Sequence, residues 1–249
     1  MKRFFYFQIM STKPFKFKQF QVYQDRCAMK IGTDGVLLGA WATAPNSTQS
    51  ILDVGTGTGV IALMMAQRYS AELIDALEID ENAYEQAVEN FERSDWGDRL
   101  FCYHAEFGEF VEEMQDEEKY DLIISNPPFY SSDYKTTSEE RDIARFQDAL
   151  PFELLLEGST YLLSENGKLA VIIPKNQEER FLHIAKDFSL FPEKITYVKG
   201  TPDSEIKRCL ISLISKSTET ITDELVIEHK RHQYTEAYIK LVSPFYLKM

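Results

Sequence analysis

The chain has 249 residues, of which 44% are hydrophobic and 27% are charged, values typical of a soluble globular protein with one large domain or two small ones. Its three cysteines stand far apart and form no Cys-x-x-Cys pair, which argues against a disulfide framework or a zinc site and favours the cytoplasm. No apolar run approaches the roughly 20 residues of a membrane-spanning helix, and no cleavage site of a signal peptide follows the start. We therefore expect neither a membrane nor a metal as partner.

Charge is distributed unevenly along the chain. The net charge of −13 argues against a general nucleic-acid binder. However, residues 1–33 carry seven basic residues and one acidic residue, a net charge of +6, so residues 34–249 carry −19. A basic arm on an acidic body can steer a polyanion to one face of the protein. The alternative is a solvated terminal segment without a partner.

The first predicted element is a helix over residues 33–42, with Thr33 or Asp34 as its N-cap. From residue 50 to 215, short apolar runs alternate with stretches of helical spacing, which is typical of βα units and a parallel sheet. The predicted strands span residues 51–54, 73–79, 100–104, 120–125, 168–173, 195–198, 207–215 and 224–228. The predicted helices that follow the first span residues 60–69, 81–93, 148–162 and 235–242.

These elements predict an α/β fold, a doubly wound Rossmann-like sheet that is mostly parallel with an antiparallel edge strand at 207–215. We expect residues 1–32 to form a basic, aromatic N-terminal arm or edge strand, and residues 33–249 to form the main domain. Ligands of such sheets bind at the carboxyl ends of the strands. Candidate chemistry should therefore follow each of the first four strands.

The first strand runs into a glycine-rich turn, DVGTGTG. Glycines at 55, 57 and 59 let the backbone pass close to a ligand and turn into a helix, in the pattern Gly-x-Gly-x-Gly rather than the dinucleotide pattern Gly-x-Gly-x-x-Gly. The Asp53 carboxylate would repel a pyrophosphate and suit a cation, which favours S-adenosylmethionine over a nicotinamide dinucleotide. We predict that five residues of this turn bind the cofactor: Asp53, Gly55, Thr56, Gly57 and Gly59. A turn that holds nothing is the alternative.

Acidic residues follow the second and third strands. An acid at the end of the second strand can accept hydrogen bonds from both ribose hydroxyls, and we predict Glu78 for this role, with Ile79 beside it. Asp80 either contacts the ligand or N-caps the next helix. Glu106 is predicted to accept from the adenine amino group, and a solvated loop acid is its alternative.

The sharpest pattern is Asn126-Pro127-Pro128-Phe129, after the fourth strand. Methyl transfer to an exocyclic amine is hindered because the nitrogen lone pair is delocalised into the ring. The Asn126 amide oxygen and the Pro127 carbonyl oxygen can accept the two N–H groups and aim that lone pair at the methyl group, while prolines remove competing N–H donors. Phe129 offers a ring face on which an extruded base can stack. The alternative is a plain strand-ending turn.

Rival chemistries find little support in the sequence. The four histidines lack metal-ligand spacing, and neither a Gly-x-Ser-x-Gly elbow nor a P-loop is present. Cys27 lies beside Arg26 and near Lys30, which would allow a lowered thiol pKa. However, no base partner can be named for it, and a structural cysteine is the favoured interpretation.

The segments DVGTGTG, LEID and SNPPF, in this order and spacing, resemble class I methyltransferases that act on exocyclic or amide nitrogens. Residues 24–41 (QDRCAMKIGTDGVLLGAW) are similar to the bacterial valine-tRNA (adenine(37)-N6)-methyltransferase family, and the resemblance covers nearly the whole chain. It implies a class I methyltransferase domain at 33–249, S-adenosylmethionine as cofactor, the anticodon loop of a tRNA as substrate, and a monomer. It also implies that Lys30, Thr33 and Asp34 approach the cofactor or close its pocket, with Asn126 contacting it as well.

For RNA binding, residues 13–20 interleave lysines with phenylalanines, a composition suited to phosphate contacts and base stacking. The same alternation fits an edge strand with the phenylalanines inward and the lysines facing the RNA. The candidate substrate contacts are Lys13, Lys16, Lys18 and Arg26. Five residues are expected to extend this surface: Lys207, Arg208, Lys230, Arg231 and His232.

SNPPF alone does not fix the substrate, because guanine-N2 rRNA methyltransferases and protein glutamine methyltransferases of release factors use similar tetrapeptides. The glutamine enzymes normally carry a helical recognition domain upstream, whereas only about 30 residues precede the predicted helix at 33–42. A non-catalytic RNA-binding module is a third alternative, and the complete Asn-Pro-Pro-Phe pattern argues against it.

Overall fold

The fold is given by a computed structural model, which describes residues 13–117, 119–127 and 150–249. The strands in these ranges are β1 (Phe15–Lys16), β2 (Gln21–Val22), β3 (Ser50–Val54), β4 (Leu73–Glu78), β5 (Leu100–His104), β6 (Tyr120–Ser125), β7 (Leu163–Pro174), β8 (Phe191–Lys199), β9 (Ile206–Ile214), β10 (Ile221–Val226), β11 (Glu228–Lys230) and β12 (Gln233–Tyr234). The α-helices are α1 (Thr33–Trp41), α2 (Val60–Arg68), α3 (Glu81–Glu92), α4 (Phe107–Met114), α5 (Phe152–Leu162), α6 (Glu178–Asp187) and α7 (Glu236–Val242).

Eight of these strands form one twisted sheet in the order β10–β8–β9–β7–β6–β3–β4–β5. The five strands from β7 to β5 run parallel, as the alternation of strands and helices predicts. The α/β, doubly wound fold class is therefore confirmed. Among the residues that the structure covers, no helix has the length and apolarity needed to cross a membrane.

The predicted position of the antiparallel strand was wrong. β9 is antiparallel to both of its neighbours, β7 and β8, and therefore lies inside the sheet. Its residues 209–213 are all buried, which is typical of a strand covered on both faces. The edge position belongs to β10, which pairs parallel with β8 and exposes its first four residues.

Two hydrophobic layers cover the two faces of the sheet. One contains α1, α2, α7 and the N-terminal hairpin, and the other contains α4, α5 and α6. In the first layer α1 and α2 approach so closely that a Cβ at Gly39 would lie 2.7 Å from the Met64 sulfur, which only glycine avoids. This close packing fixes the start of α1 beside the start of α2, and that junction borders the site described below.

The N-terminal arm folds as a separate two-stranded sheet, β1–β2, rather than as an edge strand of the main sheet. Phe17 and Phe20 are buried and stack with ring centroids 4.5 Å apart, and Phe17 also stacks on Tyr246 near the end of the chain. The lysines at 13, 16 and 18 are exposed. The predicted division into inward phenylalanines and outward lysines is correct.

Other element boundaries also differ from prediction. Gly32 is the N-cap of α1, and neither Thr33 nor Asp34 caps it, because the Asp34 carboxylate instead accepts from Arg208 Nε at 2.8 Å. The helix predicted at 148–162 begins at Phe152, the first residues of the prediction lying outside the described ranges. β7 is twice as long as predicted and begins five residues earlier, at Leu163.

Candidate active site

The carboxyl ends of β3, β4 and β6 lie side by side. Val54, the last residue of β3, is opposite Leu77 of β4 on one side and Ser125 of β6 on the other. The Ser125 hydroxyl donates to the Val54 carbonyl oxygen at 2.8 Å, which fastens two of these strand ends together. The glycine turn, Glu78 and Asn126 are therefore neighbours, as the sequence predicted.

The glycine turn requires glycine for two different reasons. Gly55, Gly57 and Gly59 have φ of +74°, +56° and +78°, in the left-handed region that favours glycine. A Cβ at Gly55 or Gly57 would meet no atom within 4 Å, whereas one at Gly59 would lie 2.6 Å from Phe91 Cε1. The first two glycines thus border open space that a ligand can enter, and the third is required by packing against α3.

Asp53 lies beneath this turn and is fully buried. Its Oδ2 accepts from the Thr56 hydroxyl at 2.6 Å and from the Ala62 amide at 3.1 Å, so it joins the turn to the start of α2. Its Oδ1 has no hydrogen-bond partner among the described residues. Burial raises the pKa of Asp53 to about 7, with a smaller contribution from the negative charge of Glu78. Asp53 therefore supports the turn and keeps one buried oxygen available to favour a nearby cation.

Glu78 and Asp80 have different tasks at the end of β4. One oxygen of Glu78 accepts from the Gly57 amide at 2.8 Å, and the other accepts from the amides of Ile79 and Asp80 at 2.9 and 3.0 Å. Asp80 accepts from the Ala83 amide at 2.8 Å and is the N-cap of α3, so the capping alternative is confirmed. Ile79 remains 49% exposed and presents an apolar surface next to the Glu78 carboxylate.

The third strand end contributes an aromatic pair. His104 Nε2 lies 2.9 Å from the Ile79 carbonyl oxygen, and the His104 ring stacks on Tyr84 at 5.3 Å. Glu106 is exposed at the N-cap position of α4 and does not cap the helix. Its contact with an adenine amino group stays a prediction.

A loop before α1 folds back onto the glycine turn. Lys30 Nζ donates to the carbonyl oxygens of Gln24 and Cys27, the latter at 2.8 Å, and the Ile31 amide donates to Gln24 Oε1 at 2.8 Å. The buried Cys27 sulfur lies 3.8 Å from the Gly57 carbonyl oxygen. Lys30 thus closes its own loop over the turn, and its contact with the cofactor stays a prediction. Burial raises the pKa of Cys27 to about 11, which agrees with the favoured interpretation as a structural cysteine.

Sequence analysis missed two buried amides of α3. Asn90 donates to the carbonyl oxygens of Tyr23 and Thr58 at 2.8 and 2.9 Å and accepts from the Tyr23 amide, and Gln86 accepts from the Arg26 amide. These bonds hold the N-terminal segment and the glycine turn together. The available signal was their spacing of four on the same helix face as two alanines, where exposed polar residues are not expected.

Asn126 and Pro127 follow β6, with Asn126 half-buried and Pro127 buried. The start of α1 packs beside them: a Cβ at Gly35 would lie 3.9 Å from Asn126 Nδ2 and 3.7 Å from Val60 Cγ1. The start of α1 at Gly35 therefore lies close both to Asn126 and to the start of α2. The predicted roles of Pro128 and Phe129 fall outside the described residues. Thr33 is exposed in the first turn of α1, and its cofactor contact stays a prediction.

The structure does not bring the four predicted RNA contacts to Asn126. The Lys18 ammonium donates to the Ser243 carbonyl oxygen, and the neighbouring Pro244 carbonyl oxygen accepts from Gln67 in the last turn of α2. Because α2 starts at the glycine turn and is about 13 Å long, Lys13, Lys16 and Lys18 lie toward its far end. Arg26 forms ion pairs with Glu85 and Glu89 of α3, which compete with any phosphate for its guanidinium. The contact of these four cations with RNA stays a prediction.

The residues at this site fit the cofactor predicted from the sequence. The unpartnered Asp53 oxygen and the Glu78 carboxylate favour a cation, the turn is open beside Gly55 and Gly57, and Ile79 offers an apolar contact. Within the described ranges, no group of three or more His, Cys, Asp or Glu side chains is arranged to hold a metal ion.

Comparisons with known proteins agree with this site. The family described as methyltransferase small domain matches residues 30–191. The chain is 68% identical over 240 residues to a protein of Christiangramia forsetii named tRNA1(Val) (adenine(37)-N6)-methyltransferase. The aligned residues cover 96% of this chain and 100% of that protein. A protein of the same name from Flavobacterium johnsoniae is 64% identical, with 94% and 100% covered. Among solved structures, a predicted O-methyltransferase of Agrobacterium tumefaciens superposes with a TM-score of 0.66 at 19% identity, covering 85% and 96% of the two chains, which shows a shared fold.

Proposed function

The chain belongs to the family of tRNA1(Val) (adenine(37)-N6)-methyltransferases, and we propose that it methylates N6 of adenine 37 in the anticodon loop of a valine tRNA. It is a methyltransferase whose cofactor is S-adenosylmethionine. The observation that carries the proposal is the position of Asn126 and Pro127, one strand from the glycine turn at the carboxyl edge of the sheet.

Residues of the turn and of β4 would hold the cofactor. Asp53 and Glu78 supply negative charge for its ammonium and sulfonium groups, and the Glu78 carboxylate lies where ribose hydroxyls can donate to it. Gly55 and Gly57 allow its methionine portion to approach the backbone. S-adenosylmethionine, when bound, supplies a methyl group activated by a positively charged sulfur.

The task of Asn126 and Pro127 is to orient the amine of the substrate. The Asn126 amide oxygen and the Pro127 carbonyl oxygen accept the two N6–H groups, which favours a pyramidal nitrogen whose lone pair leaves conjugation with the ring. Catalysis of this kind depends on positioning and directed hydrogen bonds. No general base is needed, because the extra proton of the methylated nitrogen is acidic enough to leave to water. Pro128 and Phe129, with Phe129 stacking on the base, complete the proposal from the sequence.

The names of the relatives support a tRNA substrate over the rRNA and protein substrates that use similar tetrapeptides. An unpaired loop base can be extruded at a lower energetic cost than a base inside a duplex, which suits adenine 37. We place the reaction in the cytoplasm, with one copy of the chain as the catalyst.

The direct test is to incubate the protein with labelled S-adenosylmethionine and unmodified total tRNA, digest the RNA, and identify the labelled nucleoside. The proposal expects N6-methyladenosine in valine tRNA. Labelled N2-methylguanosine in rRNA, or labelled glutamine in a release factor offered in parallel, would replace it with one of the alternative substrates.

A substitution tests the residue that carries the proposal. Asn126→Ala should lower kcat by about a hundredfold or more, the loss typical of one directed hydrogen-bonding group, while the Kd for cofactor changes little. Asn46→Ala, an exposed asparagine before β3 at the opposite edge of the sheet, is the matched control and should keep the wild-type kcat. A wild-type kcat in Asn126→Ala would remove Asn126 from the mechanism.

A further inference from the structure

Two groups of cations that the sequence joined into one surface lie in different places. The lysines of the N-terminal arm lie toward the far end of α2, as described above. The second group lies at the carboxyl edge of the sheet, on the side of Asn126 away from the glycine turn. This separation allows the two groups to be tested against each other as RNA contacts.

The second group starts on β9. Arg208 is opposite Pro174, the last residue of β7, so the first residues of β9 stand at the carboxyl edge. Arg208 Nε donates to Asp34 at 2.8 Å, and Asp34 immediately precedes Gly35, which borders Asn126. Arg208 is therefore held near the reacting end of the site, and Lys207 beside it is exposed.

The group ends on the hairpin β11–β12, which continues from β10. The Ile227 and Glu228 amides donate to the carbonyl oxygens of Lys199 and Gly200, both at 2.9 Å, so the base of the hairpin is fastened to the end of β8 at the same carboxyl edge. From β6 to β10 there are four strand spacings, about 19 Å. Lys230 and Arg231 are exposed at the tip of the β11–β12 hairpin.

Charge differs between the two halves of this edge. On the half that follows β4 and β5, Glu78, Asp80 and Glu106 would repel a phosphate. The other half contains three ion pairs: Lys175 with Glu178, Arg208 with Asp34, and Lys199 with Glu224. Lys207, Lys230 and Arg231 form no ion pair within the part of the chain that the structure covers, although Asp203, Glu205 and Glu228 are near them in sequence. Among the described residues, no ion pair competes with a phosphate for these three cations.

We infer that the backbone of the RNA substrate crosses the carboxyl edge over β7, β9 and β8 and reaches the β11–β12 hairpin, with Lys207, Lys230 and Arg231 contacting its phosphates. The inference rests on the proposed function, because it requires an RNA whose target base lies at Asn126. It assigns the RNA to the half of the edge that the cofactor residues do not occupy, where Lys207, Lys230 and Arg231 are exposed.

The test compares two matched double variants that each remove two exposed lysines. Lys207→Gln with Lys230→Gln should raise the Kd for unmodified tRNA about tenfold and lower the slope of log K against log salt by about 2, roughly 1 for each phosphate that is no longer neutralised. Lys13→Gln with Lys16→Gln should change the Kd by less than about twofold. Binding is measured with the full chain at several salt concentrations, and the Kd for S-adenosylmethionine, which should equal the wild-type value in both variants, verifies folding.

An equal or larger effect of the Lys13 and Lys16 pair would overturn the inference, as would a wild-type salt slope in the Lys207 and Lys230 pair. If that pair fails to fold, Arg231→Gln alone should reduce the slope by about 1, and an unchanged slope then counts against the inference. The nucleoside assay on the wild-type protein distinguishes failure of the proposed function from failure of the proposed RNA surface. A wild-type protein that makes N6-methyladenosine while the Lys207 and Lys230 pair binds tRNA normally refutes this surface alone.

Discussion

Asp53 and Asp75 are buried acids on adjacent strands, and the difference between their surroundings separates a ligand site from a structural one. Asp53 is 0% and Asp75 is 2% exposed, and each has one oxygen without a partner among the described residues. Burial raises both pKa values, to about 7 for Asp53 and about 6 for Asp75. The two strands therefore bear a similar desolvation cost.

The partners of the two carboxyl groups differ. Asp53 stands one residue before the end of β3 and bonds to a turn and to a helix start, so it fixes backbone around an open space. Asp75 stands inside β4 and accepts from the Tyr120 hydroxyl at 2.5 Å, which joins β4 to β6 across the intervening strand β3. Burial and a raised pKa alone would not distinguish them. Position along the strand does, because only the carboxyl end opens to a ligand.

The largest expected effect comes from Asp53→Ala. The change removes the two hydrogen bonds that fix the glycine turn, and it also removes the buried carboxyl group beside the turn. Deleting such a buried partner costs about 3 kcal/mol of interaction free energy. We expect the Kd for S-adenosylmethionine, measured by titration calorimetry, to rise about a hundredfold. Asp75→Asn is the control and should leave that Kd within about twofold. Similar Kd values in the two variants would mean that Asp53 and Asp75 do not differ in their effect on cofactor binding.

The second prediction concerns stability and pH. Because the pKa of Asp75 is higher in the folded protein than its ordinary value of 3.8, the folded state binds this proton more tightly, and the contribution of Asp75 to stability falls as pH rises from about 4 to about 6. Asp75→Asn cannot ionise and keeps an oxygen for Tyr120. Its free energy of unfolding relative to wild type should therefore increase over that window, by up to about 3 kcal/mol.

Urea unfolding at pH 4, 5, 6 and 7 measures this difference. Asp95→Asn, which changes an exposed carboxyl group after α3, is the control for the loss of a carboxyl group at the surface. A difference for Asp75→Asn that does not change with pH would mean that burial does not destabilise the ionised form of Asp75.

The smallest effect is expected at Asp80. Loss of its N-cap bond to Ala83 should lower the free energy of unfolding of Asp80→Ala by about 1 kcal/mol. The Kd for S-adenosylmethionine should change by less than about threefold, because Glu78 is the acid that holds the turn. A change in cofactor affinity as large as that of Asp53→Ala would assign Asp80 to the ligand instead of the helix.

Local patterns in the sequence were sufficient for the eight strands of the main sheet, the glycine turn, the acid at the end of β4 and the position of Asn126, whereas the helices α4 and α6 were not predicted. Each of these depends on spacing within a few residues of a strand end, and parallel strands bring such ends together by geometry. The chain alone thus determined the fold class and which strand ends meet at the candidate site.

Only the tertiary structure decided the partners of long, charged side chains and the order of the closing strands. Arg26 pairs with α3, Lys30 closes its own loop, and Lys18 bonds to a carbonyl oxygen 225 positions away in the chain. Likewise, the apolar run of β9 fitted an edge strand until its two neighbours were known. The sequence shows that a cation or an apolar strand is present. Its interaction energy depends on which groups the fold places within a few ångströms of it. These groups come from distant parts of the chain, so local patterns do not predict them.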